Sequence, residues 1–306
     1  MPNGYPSCRF FDLIEPFIEV LRQNLDVDYF LWLFWLFAPI LIVFIIPLIL
    51  AVFVYGCAFF LHVYKQRNYL REAYSVDVWH GARMTIAAFW DAQGWIWHGH
   101  EVIGLENIPD QGPALIVYYH GTLPLDVYYL IAKVLIYKRR LIHCVGDRFL
   151  TYIPGWKTLM EVFCITSGTV ESCTERLKEG NLLCVAPGGV REALFSDSDT
   201  YKLLWSNRVG FAKVAVNAET CVIPMFTENC REVFRTPYWA RWLLRDFYER
   251  TRIPLVPIYG GFPVKMRTYV GKPIKFDPNL EPEELRNKVS LFAFTRFVLS
   301  YLISLH

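Results

Sequence analysis

The sequence predicts an α/β fold, a mainly parallel sheet with covering helices, preceded by an N-terminal membrane helix or helical hairpin. Three observations predict it: a charge-free apolar run near the start, short β-branched runs alternating with helix-like stretches, and a compositional shift at Glu101. With 306 residues the chain can form one sizeable domain and an appendage. Its 54% apolar and 17% aromatic content exceeds that of an ordinary soluble domain and points to membrane association. The balance of 31 basic against 29 acidic residues carries no electrostatic footprint for nucleic acid.

Residues 1–28 read as a polar to amphipathic cytosolic segment, with a short helix suggested by Glu15, Glu19, Arg22 and the apolar positions between them. Residues 29–64 form the membrane segment. From Tyr29 to Leu61 no residue is charged, and Lys65, Arg67 and Arg71 follow. One straight helix over that run would reach roughly 50 Å, well beyond a hydrocarbon core of about 30 Å. Pro39 and Pro47 offer break points for a hairpin. The basic residues after the run place that side in the cytosol; a hairpin would keep Met1 there too, whereas a single span would put it in the lumen.

Residues 65–100 form an interfacial amphipathic region. Trp79, Trp90, Trp95 and Trp97, among Met84, Ile86 and Phe89, suit a helix at the headgroup level, and equally suit core packing against the following domain. Residues 101–306 form the main domain. Strands are predicted at 114–119, 141–145, 182–186 and 221–226, and helices near 124–137, 170–178 and 209–217. A last helix over 282–305 opens on Glu283-Glu284 and is otherwise apolar apart from Arg296.

The residues with chemistry to offer gather after the first long strand. In Tyr118-Tyr119-His120-Gly121-Thr122-Leu123-Pro124-Leu125-Asp126, an imidazole leaves a buried strand and a carboxylate follows at the start of a helix. An imidazole of ordinary pKa, about 6.5, takes a proton from a hydroxyl and returns it to a leaving group. Asp126 would bond the other ring nitrogen and stabilise the imidazolium; in the first turn of a helix it is also simply welcome near the positive end. Gly188-Gly189 after a predicted strand either let backbone N–H groups approach an oxyanion or make a plain tight turn. Glu192 reads as the partner of Arg191 or another base, or as a residue that orients this loop.

Other constellations are weaker. The eight cysteines are scattered with no metal-ligand spacing and read as free thiols. His98-Gly99-His100 has a spacing seen in metal sites but no accompanying thiol or carboxylate cluster, so no metal is expected. His143 reads as a core residue. Gly-x-Ser-x-Gly, a Walker loop and a dinucleotide fingerprint are all absent.

The ordered blocks Gly104-Leu105-Glu106-Asn107-Ile108-Pro109, Gly112-Pro113-Ala114-Leu115-Ile116-Val117, then His120 and Asp126, resemble the opening of the glycerolipid acyltransferase superfamily, marked by His-x4-Asp. Here five residues separate the two, which puts the role of Asp126 in question more than that of His120. Tyr119-His120-Gly121 with Gly188-Gly189-Val190-Arg191-Glu192-Ala193-Leu194 is similar to the type-two diacylglycerol acyltransferase branch. The similarity covers roughly residues 102–273 and includes Ile153-Pro154-Gly155 and Val222-Ile223-Pro224-Met225-Phe226.

The resemblance implies a membrane-bound O-acyltransferase, with His120 and Asp126 catalytic and Gly121, Gly188, Gly189, Arg191 and Glu192 at the substrate. It requires no cofactor. The donor would be acyl-coenzyme A or a phospholipid. The setting would be the endoplasmic reticulum membrane or a lipid droplet surface, with the domain facing the cytosol. The phospholipid-making branch carries Pro-Glu-Gly-Thr-Arg where Pro187-Gly188-Gly189-Val190-Arg191 stands, and an earlier phosphate-clamping arginine that Val162-Phe163-Cys164-Ile165-Thr166 lacks. A phosphate needs a fork of donors to leave water, so a neutral mono- or diacylglycerol acceptor is expected. Arg148, Arg176 and Arg191 keep a lysophospholipid or glycerol-phosphate acceptor as the alternative, and a catalytically silent lipid-binding or tethering protein is the third reading.

Overall fold

The computed structural model describes residues 16, 19–20, 27–67, 77–196, 201, 203–205 and 208–304. The helix expected within residues 1–28 falls largely outside them. By its contacts the chain divides into Met1–Ile45 and Ile46–His306.

Helix α1 (Val27–Arg67) is continuous. It passes through Pro39 and Pro47, so the hairpin does not form. The physical reason lies between the prolines: 40–46 is Ile-Leu-Ile-Val-Phe-Ile-Ile, with no Gly, Asn or Asp to reverse the chain. A proline inside a helix costs one backbone bond, whereas an apolar turn would strand several. The stretch from Phe30 is long and apolar enough to cross a membrane. From Ile46 onward one stripe of α1, Val54, Ala58 and Leu61, is buried. These positions follow the i, i+4, i+7 spacing of a single helical face.

Helix α2 (His80–His98) turns one face of the tryptophan-rich region into the core and leaves the other exposed. Ala82, Ile86, Ala87, Trp90 and Gly94 face inward, while Phe89, Trp95, Ile96 and Trp97 are exposed. The inward face packs on α3 (Leu125–Lys138), where Gly94 lies flat against the Tyr129 ring and a β-carbon would sit only 2.9 Å from it. A Lys133–Asp91 ion pair of 2.7 Å ties the two helices.

The central sheet has the order β1-β9-β6-β2-β5-β3-β4. Its strands are β1 (Glu101–Ile103), β2 (Ala114–Tyr118), β3 (Ile142–Val145), β4 (Ile165–Thr166), β5 (Leu182–Val185), β6 (Val222–Glu228) and β9 (Arg267–Val270). All neighbours are parallel except β6 and β9. A two-stranded ribbon pairs β7 (Phe234–Arg235) with β8 (Tyr259–Gly260). The remaining helices are α4 (Trp156–Val162), α5 (Val170–Lys178), α6 (Gly189–Phe195), α7 (Gly210–Asn217), α8 (Cys230–Val233), α9 (Tyr238–Thr251) and α10 (Pro282–Ser304). Strand β2 is buried along its whole length, as expected of a central strand covered on both faces. Ala114, Ile116 and Tyr118 belong to the core layer of α2 and α3, Leu115 and Val117 to that of α5 and α7. Parallel strands align their C-terminal ends on one edge, where such sheets place their ligands.

Candidate active site

His120 stands at that edge, two residues beyond the end of β2, half-buried, with its ring 5.9 Å from that of Tyr118. Its Nδ1 lies 2.6 Å from the carbonyl oxygen of Gly121. A carbonyl only accepts, so Nδ1 carries the proton and Nε2 keeps its lone pair. Burial pushes the imidazole down to about 4, against the opposing pull of the Gly121 carbonyl, and nearby Arg231 lowers it further. At neutral pH the ring is therefore an uncharged base with a fixed tautomer.

Asp126 is buried in the first turn of α3, where the sequence places it. Burial raises its carboxyl to about 6, opposed by hydrogen bonds from the Thr227 hydroxyl and from backbone N–H groups. Its Oδ1 has no hydrogen-bond partner among the described residues. The contact expected between Asp126 and the second ring nitrogen is not the one formed, since the Gly121 carbonyl holds Nδ1. Asp126 instead begins a buried polar chain: Thr227 Oγ1 lies 2.9 Å from Thr268 Oγ1, which lies 2.9 Å from His100 Nε2. Thus His100 is occupied structurally. His98 Nδ1 lies 3.0 Å from the Val264 carbonyl, and no cluster of metal-ligating side chains exists among the described residues.

Glu192 is fully buried and holds the backbone behind the imidazole. Its Oε2 accepts from the His120 N–H at 3.1 Å and its Oε1 from the Leu204 N–H at 2.9 Å. Burial drives its carboxyl up to about 7 despite these donors and Arg231. Gly188 has no room for a side chain because Glu192 occupies the space of a β-carbon there. Gly189 opens α6 at φ +55 with open space beside it. Gly121 packs on the Cys230 backbone, 3.0 Å from where its β-carbon would be.

Of the roles open to Glu192, the structure shows the one that orients the loop; Arg191 pairs with Glu249 of α9 at 2.9 Å. The base near Glu192 is Arg231, a residue the sequence reading missed. Its buried guanidinium donates to the Tyr119 hydroxyl, to the Glu192 carbonyl at 2.5 Å and to the Ser196 carbonyl at 3.4 Å. A lone arginine carries no sequence signal for such burial, because arginine is by default a surface residue.

Two cavities flank the sheet. One of about 70 Å³ on the α2 and α3 side is lined by Val54, Cys57, Trp90, Tyr128, Ile131 and Trp156 among others. The other, about 300 Å³, opens at the C-terminal ends of β3 and β5 and is lined by Val145, Cys173, Pro187, Arg208 and Phe211 among others.

Residues 99–228 match the Acyltransferase family model. The chain is 50% identical over 285 residues to the "DGAT1/2-independent enzyme synthesizing storage lipids" of Homo sapiens, covering 93% of this chain and 86% of that protein. The chain belongs to this family. The Gallus gallus protein of the same description is 46% identical over 308 residues, covering 100% of this chain and 90% of the relative. The storage-lipid synthase family, also known as the transmembrane protein 68 family, thus spans nearly the whole sequence. Among solved structures, the 1-acyl-sn-glycerophosphate acyltransferase PlsC of Thermotoga maritima superposes with a TM-score of 0.51 at 19% identity, covering 80% of this chain and 94% of that one. That likeness fixes the fold: a sheet with covering helices shared by glycerolipid acyltransferases. The chain is an acyltransferase, and its family implies an acyl donor and a glycerolipid acceptor.

Proposed function

We propose that the chain transfers a fatty acyl group to a free hydroxyl of a mono- or diacylglycerol, forming diacylglycerol from the first and the storage lipid triacylglycerol from the second, while anchored in the endoplasmic reticulum membrane by α1. The observation that carries the chemistry is His120: an imidazole kept neutral, with Nδ1–H on the Gly121 carbonyl and Nε2 left to accept a proton. Nε2 takes the hydroxyl proton as the alkoxide oxygen attacks the donor carbonyl. Backbone N–H groups of the Gly121 and Gly188 turns stabilise the tetrahedral oxyanion, and the imidazolium returns its proton to the leaving group. Asp126 supplies the buried countercharge as the imidazolium forms, and Glu192 keeps the His120 backbone in place. Gly188 and Gly189 supply a loop that approaches the reacting carbonyl closely, with Arg191 braced on α9.

The setting supports a lipid acceptor. Gly121 packs on Cys230, the Val233 carbonyl three residues later accepts from the Gly261 N–H, and Gly261 packs against Ile46 of α1. A short relay of packed contacts therefore joins the backbone beside the base to Ile46 of α1. Lys65 and Arg67 at the end of α1 favour a cytosolic domain. The 70 Å³ apolar cavity suits part of an acyl chain. The relatives' description as storage-lipid synthesizing enzymes and the missing arginine at 162–166 favour a neutral acceptor over a phosphate-bearing one.

The test is competition between diacylglycerol, monoacylglycerol and lyso-phosphatidic acid for a labelled acyl donor, given as acyl-coenzyme A and as phospholipid, with purified full-length protein. Label in triacylglycerol or diacylglycerol is expected. Label only in phosphatidic acid would transfer the assignment to the lysophospholipid class, and no transfer from either donor would favour a silent lipid-binding protein.

A further inference from the structure

Helix α9 and the segment after it present large apolar side chains that none of the described residues covers. Tyr238, Trp239, Trp242, Leu243 and Phe247 are exposed on α9, with Trp242 at 77%. Their spacing follows one helical face. The opposite face, Ala240, Leu244 and Tyr248, packs toward α6 and the neighbouring loop, and Glu249 is anchored by Arg191. The exposed face continues through Ile253, Leu255 and Phe262. Arg245, Asp246, Arg250 and Arg252 are interspersed along the same stretch, and Arg252 pairs with Glu249 at 3.1 Å.

What covers this face is indicated by its continuity with α1. Gly261, next to Phe262, packs directly on Ile46, where a β-carbon would overlap the Ile46 side chain. Trp97 donates its indole N–H to the Gly261 carbonyl at 2.8 Å, and its neighbours Trp95 and Ile96 are exposed at 69% and 72%. Exposed Trp95 and Ile96 of α2 and Phe262 thus neighbour residues that contact Ile46 through Gly261. Tryptophan with interspersed arginine is the composition that settles at a headgroup–acyl boundary, the ring in the apolar layer and the guanidinium on phosphate. A protein partner would leave the interspersed arginines and the junction with an apolar helix without a purpose; a lipid surface uses both.

We propose that the α9 face, with residues 253–262 and the exposed end of α2, is a second membrane contact that lies in the plane of the bilayer surface. This rests on the reading that α1 is a membrane anchor. The face is braced on α6, whose Glu192 holds the His120 backbone, so docking of α9 presents the active-site edge to the lipid layer.

The experiment reconstitutes the full-length protein in phosphatidylcholine vesicles that contain a phospholipid with a diazirine on its acyl chain, followed by irradiation and peptide mapping of adducts. Adducts are expected on Trp239, Trp242 and Leu243 as well as on the Phe30–Ile45 part of α1. The double variant Trp239→Ser, Trp242→Ser should lose most of the α9 adducts and keep those on α1. Adducts on α1 alone, with α9 unlabelled, would overturn the second contact and leave the anchor standing. Absence of adducts from both would overturn the anchor on which the proposal rests.

Discussion

Two imidazoles at different depths show how one fold makes one histidine structural and the other reactive. His100 is sealed, its Nε2 spent on Thr268 and its ring against Tyr129 at 4.9 Å; burial pushes it down to about 3. His120 is half-buried at the open edge of the sheet, with one nitrogen held by Gly121 and the other available. Both rings are kept uncharged by the same desolvation. The difference lies in which nitrogen is occupied and what faces it, so low basicity alone does not mark a base.

The comparison breaks most visibly under paired substitution. His120→Ala should lower acyl transfer by roughly 10²- to 10⁴-fold with unchanged thermal unfolding in detergent, the range general-base removal produces. His100→Ala should do the reverse: a stability loss of about 1–3 kcal/mol from the stranded Thr268–Thr227 chain and a smaller loss of rate. Next in size, Arg231→Met tests the support beneath His120. Removing this buried cation takes one donor each from the Tyr119 hydroxyl and from the Glu192 and Ser196 carbonyls, which keep the Ser196 hydroxyl, the Ser196 N–H and Arg241 respectively, and should lower stability by about 1–3 kcal/mol in denaturant titration.

Thr227→Val removes the hydroxyl that stabilises the Asp126 carboxylate. The Asp126 carboxyl should then move further above about 6, and the acid limb of the rate profile should rise with it, while unfolding stability falls by about 1 kcal/mol. The smallest effect concerns pH and stability. Because His100 titrates near 3 when folded and near its ordinary value when unfolded, the unfolded chain binds more protons across that interval, so stability drains away as pH falls from about 6.5. His100→Asn should flatten that acid-side fall, read as melting temperature against pH; an unchanged slope would mean that His100 does not contribute to it.

Much of this arrangement was legible in the sequence. Strands β2, β3, β5 and β6 and helices α3, α5 and α7 fall within a residue or two of the stretches that alternate in its composition, because buried parallel strands are dense in β-branched residues. Glu192 touches both the His120 backbone and Gly188, and Gly121 holds the His120 ring, whereas Asp126 turns to Thr227. The short edge strands β1 and β9 were not legible: Glu101 and Arg267 sit at their register and carry no apolar run. Nor were the roles within the site. Gly121 replaces Asp126 at Nδ1, and the base near Glu192 is Arg231, through distances that span 112 residues of sequence in the case of Tyr119 and Arg231. Spacing along a chain does not encode which of two nearby groups wins a hydrogen bond.

The most direct measurement is nitrogen NMR of ¹⁵N-histidine-labelled protein in micelles, with the His120 signals assigned by their loss in His120→Ala. The account requires an Nδ1-protonated, neutral ring at pH 7 whose titration midpoint lies near 4. A ring protonated on Nε2, or one that gains its charge at about 6.5 like a histidine in water, would contradict it.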